Sequence, residues 1–205
     1  MSISYPLSLP SVTGFRSYTF SGKSAVALTT SEFTYKQQLQ EQQGQLWMLE
    51  VELPPLMSEQ ADEWIAFLSA LHGQLGTFLA GDVLKRIPRG IASGAAVVHG
   101  ANQTGHTLLT DGWSAAVTGI LKANDYIQIG TTNARLYRVL KDVDSNSSGE
   151  ATLDIWPRLR ESPSDNTPIL TSNTVGLFRL SASDVRFSTS VECMVSISFS
   201  AIEAI

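Results

Sequence analysis

Residues 46–73, LWMLEVELPPLMSEQADEWIAFLSALHG, contain the two clearest secondary-structure signals in the chain. In the first half, large apolar side chains recur at every second position: Trp47, Leu49, Val51 and Leu53. This period of two predicts a β-strand with one buried face, and Glu50 and Glu52 belong to its other face. The strand is expected to end at Pro54-Pro55, because proline has no backbone N–H to donate to a neighbouring strand.

The second half of the stretch predicts one helix, from about Ser58 to His72. Ser58 is expected to be the N-cap, and the acidic residues after it favour the positive end of the helix dipole. Gly73 is expected to stop the helix, with His72 close to the last free carbonyls. Apolar residues recur at positions i, i+3, i+4 and i+7 of this segment: Trp64, Phe67, Leu68 and Leu71. We interpret this stripe as a core-packing face rather than a cofactor-binding surface.

Composition restricts the class of protein. The chain has 205 residues, of which 43% are hydrophobic and 16% charged, and its net charge is −5. Its length and hydrophobic content fit one large or two small folded domains and exclude a disordered chain. Charged residues fall below the roughly 25% of an average soluble domain, which favours a surface covered by partners. The acidic balance argues against a nucleic-acid binder, which needs clustered Lys and Arg.

Cysteine, histidine and hydropathy patterns exclude several further classes. Cys193 is the single cysteine and cannot form an internal disulfide, so we interpret it as a small buried residue on a strand. The histidines have no zinc-site spacing. The first residues lack the features of a signal peptide, and no apolar run reaches the roughly 18 residues of a membrane span. A protein made in the cytoplasm, with no membrane span, is expected.

The middle of the chain differs in charge from the rest. Residues 85–161 carry nine Lys or Arg and seven Asp or Glu, whereas the flanks carry five and twelve. Five short strands are predicted there, separated by Gly, Asn, Asp and Ser turns: Ala95–Val98, Thr107–Thr110, Asp125–Ile129, Arg135–Leu140 and Ala151–Trp156. Five strands are enough for a small barrel. The predicted fold is therefore mainly β with one α-helix, in which residues 85–164 form an inserted barrel domain and residues 1–84 plus 165–205 form the second domain.

The flanks add further β segments. Strands are predicted at Val175–Leu180 and Val185–Phe187, and the alternation of VECMVSISF predicts a terminal strand over Val191–Phe199. Residues up to Thr13 are expected to form an extended arm, because they contain two prolines. The glutamine-rich run Lys36–Gln45 is interpreted as the two arms and tip of a long hairpin that reaches a neighbour, and a solvated loop is equally consistent with it.

No motif predicts catalysis. The chain has no nucleophile elbow and no phosphate-binding loop. The segment Asp142–Glu150 begins like a calcium loop but has Ser147 where Gly is needed and is followed by Leu153 where a bidentate Glu is needed, so a hairpin turn is favoured. We therefore predict no catalytic residue, no cofactor-binding residue and no metal ligand, and a protein that is not an enzyme.

Four residues of the middle segment suggest a sugar contact. Aromatic rings stack on sugars and amides hydrogen-bond to their hydroxyls, which makes these residues candidates: Asn102, Gln103, Trp113 and Trp156. The competing interpretation places the two tryptophans in the barrel core or at its mouth.

The order of these parts resembles a known family. The strand LWMLEVELPPL leads into the helix DEWIAFLSALHG. Next come the segments TFLAGD and RIPRG. The barrel segment then contains LKANDYIQIG, RLYRVLKDV and SGEATLDIWPRLR. The chain ends with FRLSASDVRFS and the terminal strand MVSISFSAIEAI. In this order the chain resembles the distal tail proteins of long, flexible-tailed bacteriophages, in the compact class with one inserted OB-like barrel. Asn124-Asp125 stands where the family's barrel often has Gly-Asp, and Asn also tolerates a left-handed turn.

The resemblance implies a structural role in the virion. Proteins of this family form a hexameric ring at the tail tip. A β-sandwich or split-barrel domain makes the ring, and the inserted OB-like barrel projects outward. The implied partners are further copies of the chain, the tail tube protein and the baseplate hub or tip protein. The acidic flanks suit a ring through which DNA passes. The alternative function is a carbohydrate-binding module that contacts a host-surface glycan through the inserted barrel.

Overall fold

The computed structural model describes residues 3–131, 133–184, 187–189 and 194–205. Cys193, most of the predicted strand Val185–Phe187 and the first residues of the predicted terminal strand lie outside these ranges.

The described residues form short and long strands around one helix. In chain order the elements are β1 (Leu7–Ser8), β2 (Ser17–Thr30), β3 (Gln37–Glu52), α1 (Ser58–Ala70), β4 (Phe78–Ala80), β5 (Gly94–Val98), β6 (Thr107–Trp113), β7 (Tyr126–Ile129), β8 (Arg135–Val139), β9 (Ala151–Trp156), β10 (Ile169–Leu170), β11 (Gly176–Leu180), β12 (Phe187–Thr189) and β13 (Val195–Glu203). The predicted fold class, mainly β with one helix, is confirmed.

The larger sheet is built from both ends of the chain. Its strand order is β1-β4-β11-β13-β3-β2, with β12 paired to β13. β1 runs parallel to β4, and the other pairs are antiparallel. The alternating residues predicted to be buried on β3 and just after it are buried, because α1 covers that face of the sheet and the barrel covers Trp47. Trp64 lies 6.0 Å from Phe199 and Phe67 lies 5.6 Å from Phe78 between ring centroids, so the predicted helical stripe is confirmed as core.

The ends of α1 differ from the prediction. Met57, not Ser58, is the N-cap, because its carbonyl accepts the first helical hydrogen bond from Ala61 N–H. No side chain caps this end. The helix stops at Ala70, and His72 lies beyond it at φ 48°, so the predicted place of His72 in the last turn was wrong. Gly73 follows at φ 69°, a left-handed conformation that glycine adopts without steric cost.

The smaller sheet lies between β4 and β11 in sequence and curls into a nearly closed barrel. Its strand order is β10-β7-β8-β9-β6-β5, and all its pairs are antiparallel. A bridge between Val97 and Pro168 brings the two outer strands together. The five predicted barrel strands are confirmed within a few residues. β10 is a sixth strand that the sequence does not reveal, because two residues between turns carry no periodicity.

One buried carboxylate fixes the entry into the barrel. Asp125 accepts hydrogen bonds from the backbone N–H groups of Arg89, Gly90 and Lys122 at 2.8–3.0 Å. Asn124 precedes it at φ 71°, which confirms the expected left-handed turn. The segment that leaves β4 is thereby tied to the start of β7.

The first hairpin of the chain is longer than predicted. β2 and β3 pair from Ser17↔Glu52 to Thr30↔Gln37. The glutamine-rich run Lys36–Gln45 therefore forms one arm of the hairpin rather than both arms and the tip. The other arm is the second half of β2, whose mixture of Ser, Ala, Val and Thr gave no clear strand signal.

Candidate assembly surfaces

The barrel and the larger sheet meet at a core of aromatic rings. Trp47 of β3 donates from Nε1 to the Leu136 carbonyl of β8 at 3.0 Å, and its ring meets Trp156 edge-on at 4.4 Å. Tyr126 lies on the same cluster, and burial raises its pKa to about 12, although the neighbouring Arg138 favours the ionised form. The Arg138 guanidinium stacks over the Trp47 ring at 4.9 Å. These contacts form a fixed joint between the two sheets.

Polar groups complete this joint. Arg160, which follows β9, pairs with Glu203 at the end of β13, and both side chains are almost fully buried. Glu203 also accepts the Trp47 backbone N–H at 3.1 Å. Gln45 accepts the Arg158 N–H at 2.7 Å. The strands that carry these groups are far apart in sequence, so none of the contacts has a local sequence signal.

The outer half of the β2–β3 hairpin leaves the body of the protein. Its side chains are exposed on both faces from Val26 to Leu39, except that of Ser31, which is half-buried. Leu28 and Leu39 form an exposed cross-strand apolar pair, and at the tip Phe33 is 95% and Tyr35 80% exposed. A two-stranded ribbon without further packing is marginally stable in water. The hairpin therefore has the composition of a segment that packs on a partner.

The face of the larger sheet that α1 does not cover carries hydroxyls and carboxylates at its centre, and the same strand register places Arg179 and Lys23 on it further out. Thr19, Glu50 and Ser200 lie side by side on three neighbouring strands, and Ser17, Glu52 and Ser198 form the next row. A groove of about 660 Å³ runs over these rows and reaches Asp184. None of the described residues that line the groove is Lys or Arg. Arg16, at its border, is paired with Glu52 at 3.0 Å.

The four predicted glycan-contact residues do not present a common surface. Trp113 is buried in the barrel core, where its Nε1 donates to Thr110 at 2.8 Å. Trp156 packs on Trp47 and donates to Ser24 at 3.2 Å. The Gln103 amide bonds the loop backbone at His99 and Leu109, and Asn102 is exposed. The glycan contact stays a prediction, and the burial of Trp113 removes that ring from any stacking surface.

The segment that begins like a calcium loop uses its oxygens within the fold. Asp142 accepts from Ala123 N–H and from the Lys122 ammonium, and these partners lower its pKa. Asp144 accepts from Gly119 N–H, and Asn146 closes the turn by accepting from Ser148 and Glu150 N–H. Over the described ranges, no group of three or more His, Cys, Asp or Glu side chains is arranged to hold a metal ion.

One histidine on the barrel surface has a strong partner. The Nδ1 atom of His99 lies 2.6 Å from Asp111, and this hydrogen bond raises the pKa of His99. His99 directly follows β5 and Asp111 lies on the neighbouring β6, and both side chains are partly exposed, so the pair lies at the surface of the barrel.

No protein-family model matches the chain, and no curated protein matches it in sequence. Within the described part of the chain, no helix combines the length and apolar character that crossing a bilayer requires.

Proposed function

We propose that the chain is a structural subunit of a bacteriophage tail tip, similar to the distal tail proteins, which assembles as a hexameric ring between the tail tube and the distal hub. The observation that carries the proposal is the exposed outer half of the β2–β3 hairpin. Its apolar side chains are exposed, and no described strand pairs with this half of the hairpin as a third strand. A neighbouring subunit is the partner that stabilises it.

The uncovered face of the larger sheet supports the same proposal. In a ring, one face of each subunit borders the central passage, and DNA in that passage is a polyanion. The groove on this face is lined by Glu50 and by Glu52, which Arg16 pairs, and none of its described lining residues is Lys or Arg, so the groove offers phosphate no unpaired cation to bind. We assign this face to the passage, and the joint at Trp47 holds the barrel on the rest of the subunit.

The proposal is tested by light scattering and negative-stain imaging of the purified chain, alone and with the tail tube protein of the same particle. We expect a ring with six-fold symmetry. A strict monomer under both conditions contradicts the proposal.

The contribution of the hairpin is tested by a variant with Val26→Ser, Leu28→Ser and Leu39→Ser. Because these side chains are exposed, the thermal unfolding of the subunit should change little, while assembly is lost. Leu109→Ser on the barrel, also at an exposed leucine, is the matched control and should assemble like the wild type. Equal assembly of both variants would remove the hairpin from the ring contacts.

A further inference from the structure

The segment that leads from β4 into the barrel exposes an apolar and basic surface. We call it the crossover strip: Leu84, Lys85, Arg86, Ile87 and Ile91. Its aliphatic side chains are 88%, 75% and 65% exposed at positions 84, 87 and 91. Neither cation pairs with a carboxylate in the part of the chain that the structure describes. Large exposed apolar side chains with polar groups around them are typical of a protein–protein contact.

The strip is held in place by the fold. The Arg86 carbonyl accepts a hydrogen bond from Asn173 N–H at 2.6 Å. Asp125 accepts the N–H groups of Arg89 and Gly90, just before Ile91. A segment whose backbone is already fixed loses little conformational entropy when a partner binds it. The strip is therefore a pre-formed surface.

The start of α1 has the complementary character. Glu59, Asp62 and Glu63 lie at positions i, i+3 and i+4 of the helix, so their carboxylates share one exposed face. Met57 is exposed beside them. None of the three carboxylates makes an ion pair with a described residue. We call this surface, with Met57, the acidic helix face.

The two surfaces lie at opposite ends of the larger sheet. Just before α1, Leu56 bridges Val195, the first residue of β13. At the other end, Phe78 of β4 pairs with Phe178, which pairs with Glu203, the last residue of β13. No ion pair joins the strip to the helix face within one chain among the described residues. A contact between the strip of one copy and the helix face of the next repeats head to tail in a ring, and such repeats form a closed ring when the rotation between copies closes.

We propose that the crossover strip docks on the acidic helix face of a second copy of this chain. Lys85 and Arg86 then face the carboxylates of α1, while Leu84 and Ile87 pack on Met57. The inference rests on the proposed ring and assigns two of its contact surfaces.

Charge reversal tests the contact in the full chain. One variant carries Lys85→Glu and Arg86→Glu, and the second carries Glu59→Lys, Asp62→Lys and Glu63→Lys. When either variant is present alone, the strip of one copy and the helix face of the next carry charges of the same sign. Self-association of each variant, measured by sedimentation velocity, should therefore weaken by about ten-fold or more. In an equimolar mixture, every strip can face a helix of opposite charge, and association should return. Lys122→Glu with Lys141→Glu on the barrel changes the net charge as much as the first variant and is the control.

The outcomes separate this inference from the proposed function. Weakening in each variant, recovery in the mixture and wild-type behaviour in the control support the contact. If the wild type forms rings and the strip variant forms them equally well, the contact is wrong and the ring stands. A mixture that fails to recover association also overturns the contact. A wild type that never associates overturns both.

Discussion

Arg160 and Glu203 form a buried ion pair that joins the segment after the barrel strand β9 to the last strand of the larger sheet. Arg160 Nε lies 3.2 Å from Glu203 Oε1, and a second nitrogen contacts Oε2. The side chains are only 5% and 3% exposed. Because desolvation is costly for both groups, each depends on the other for compensation.

Glu203→Gln should therefore lower the free energy of unfolding by about 3–5 kcal/mol, because it leaves the Arg160 charge buried without a counter-charge. Adding Arg160→Met removes that charge, so the double variant should recover much of the loss. Urea unfolding of the two variants and the wild type measures the difference. A double variant that is no more stable than Glu203→Gln would show that the ion pair is not the cause.

Asp125→Asn should destabilise the protein by about 2–4 kcal/mol, because an amide nitrogen cannot accept the backbone N–H groups that the carboxylate satisfies. Oδ1 accepts from Arg89, and Oδ2 from Gly90 and Lys122. Asp144→Asn is the matched control, since this exposed residue accepts one backbone N–H, from Gly119. Denaturant unfolding should show a clearly smaller loss for the control. Equal losses would contradict the assigned role of Asp125.

Gly22→Ala should loosen the contact between the hairpin and the barrel. A Cβ atom at this position would lie 2.2 Å from the Trp156 ring, so the indole must move. Overpacking of this kind costs about 1–3 kcal/mol, and the tryptophan fluorescence should change with it. Gly14→Ala, where a Cβ atom meets no neighbour within 4 Å, should leave both stability and fluorescence unchanged. An unchanged Gly22→Ala spectrum would contradict the observed packing.

The pKa of His99 should exceed its usual value and should fall towards it in Asp111→Asn, because the Asp111 hydrogen bond favours the protonated ring. NMR titration of the ring protons measures both values. A raised folded-state pKa stabilises the fold below the unfolded pKa, near 6.5, and this contribution is lost as the pH rises through the folded value. The stability difference between wild type and variant should therefore be larger at pH 6 than at pH 9. A difference that does not depend on pH would refute it.

Local patterns predicted much of the fold. The alternation from Trp47 to Leu53 and the stripe from Trp64 to Leu71 each contain enough positions to define a period, and both faces are buried as expected. Prediction failed where a segment is too short to show a period, or where contacts with the surrounding structure set the ends of an element. The N-cap moved from Ser58 to Met57, and β10 has only two residues.

The candidate surfaces were harder to predict. The glutamine-rich run indicated a hairpin, but its other arm, residues 26–30, was not predicted because it shows no alternation of apolar and polar residues. The crossover strip was not predicted as a surface, because whether Leu84 or Ile87 is exposed depends on what the rest of the chain covers. The aliphatic and basic residues in and around RIPRG, residues 86–90, were the available signal.

The sequence by itself determined the β-rich class, the single helix and the position of the barrel strands, because hydrophobic periodicity acts between residues a few positions apart. Only the tertiary structure decided that Trp113 is buried, that Trp156 packs on Gly22 and that Arg160 meets Glu203. These outcomes depend on contacts between residues that are distant in sequence. The burial of Trp113 and of the Arg160–Glu203 pair is a property of the assembled sheets, and no local pattern predicted it.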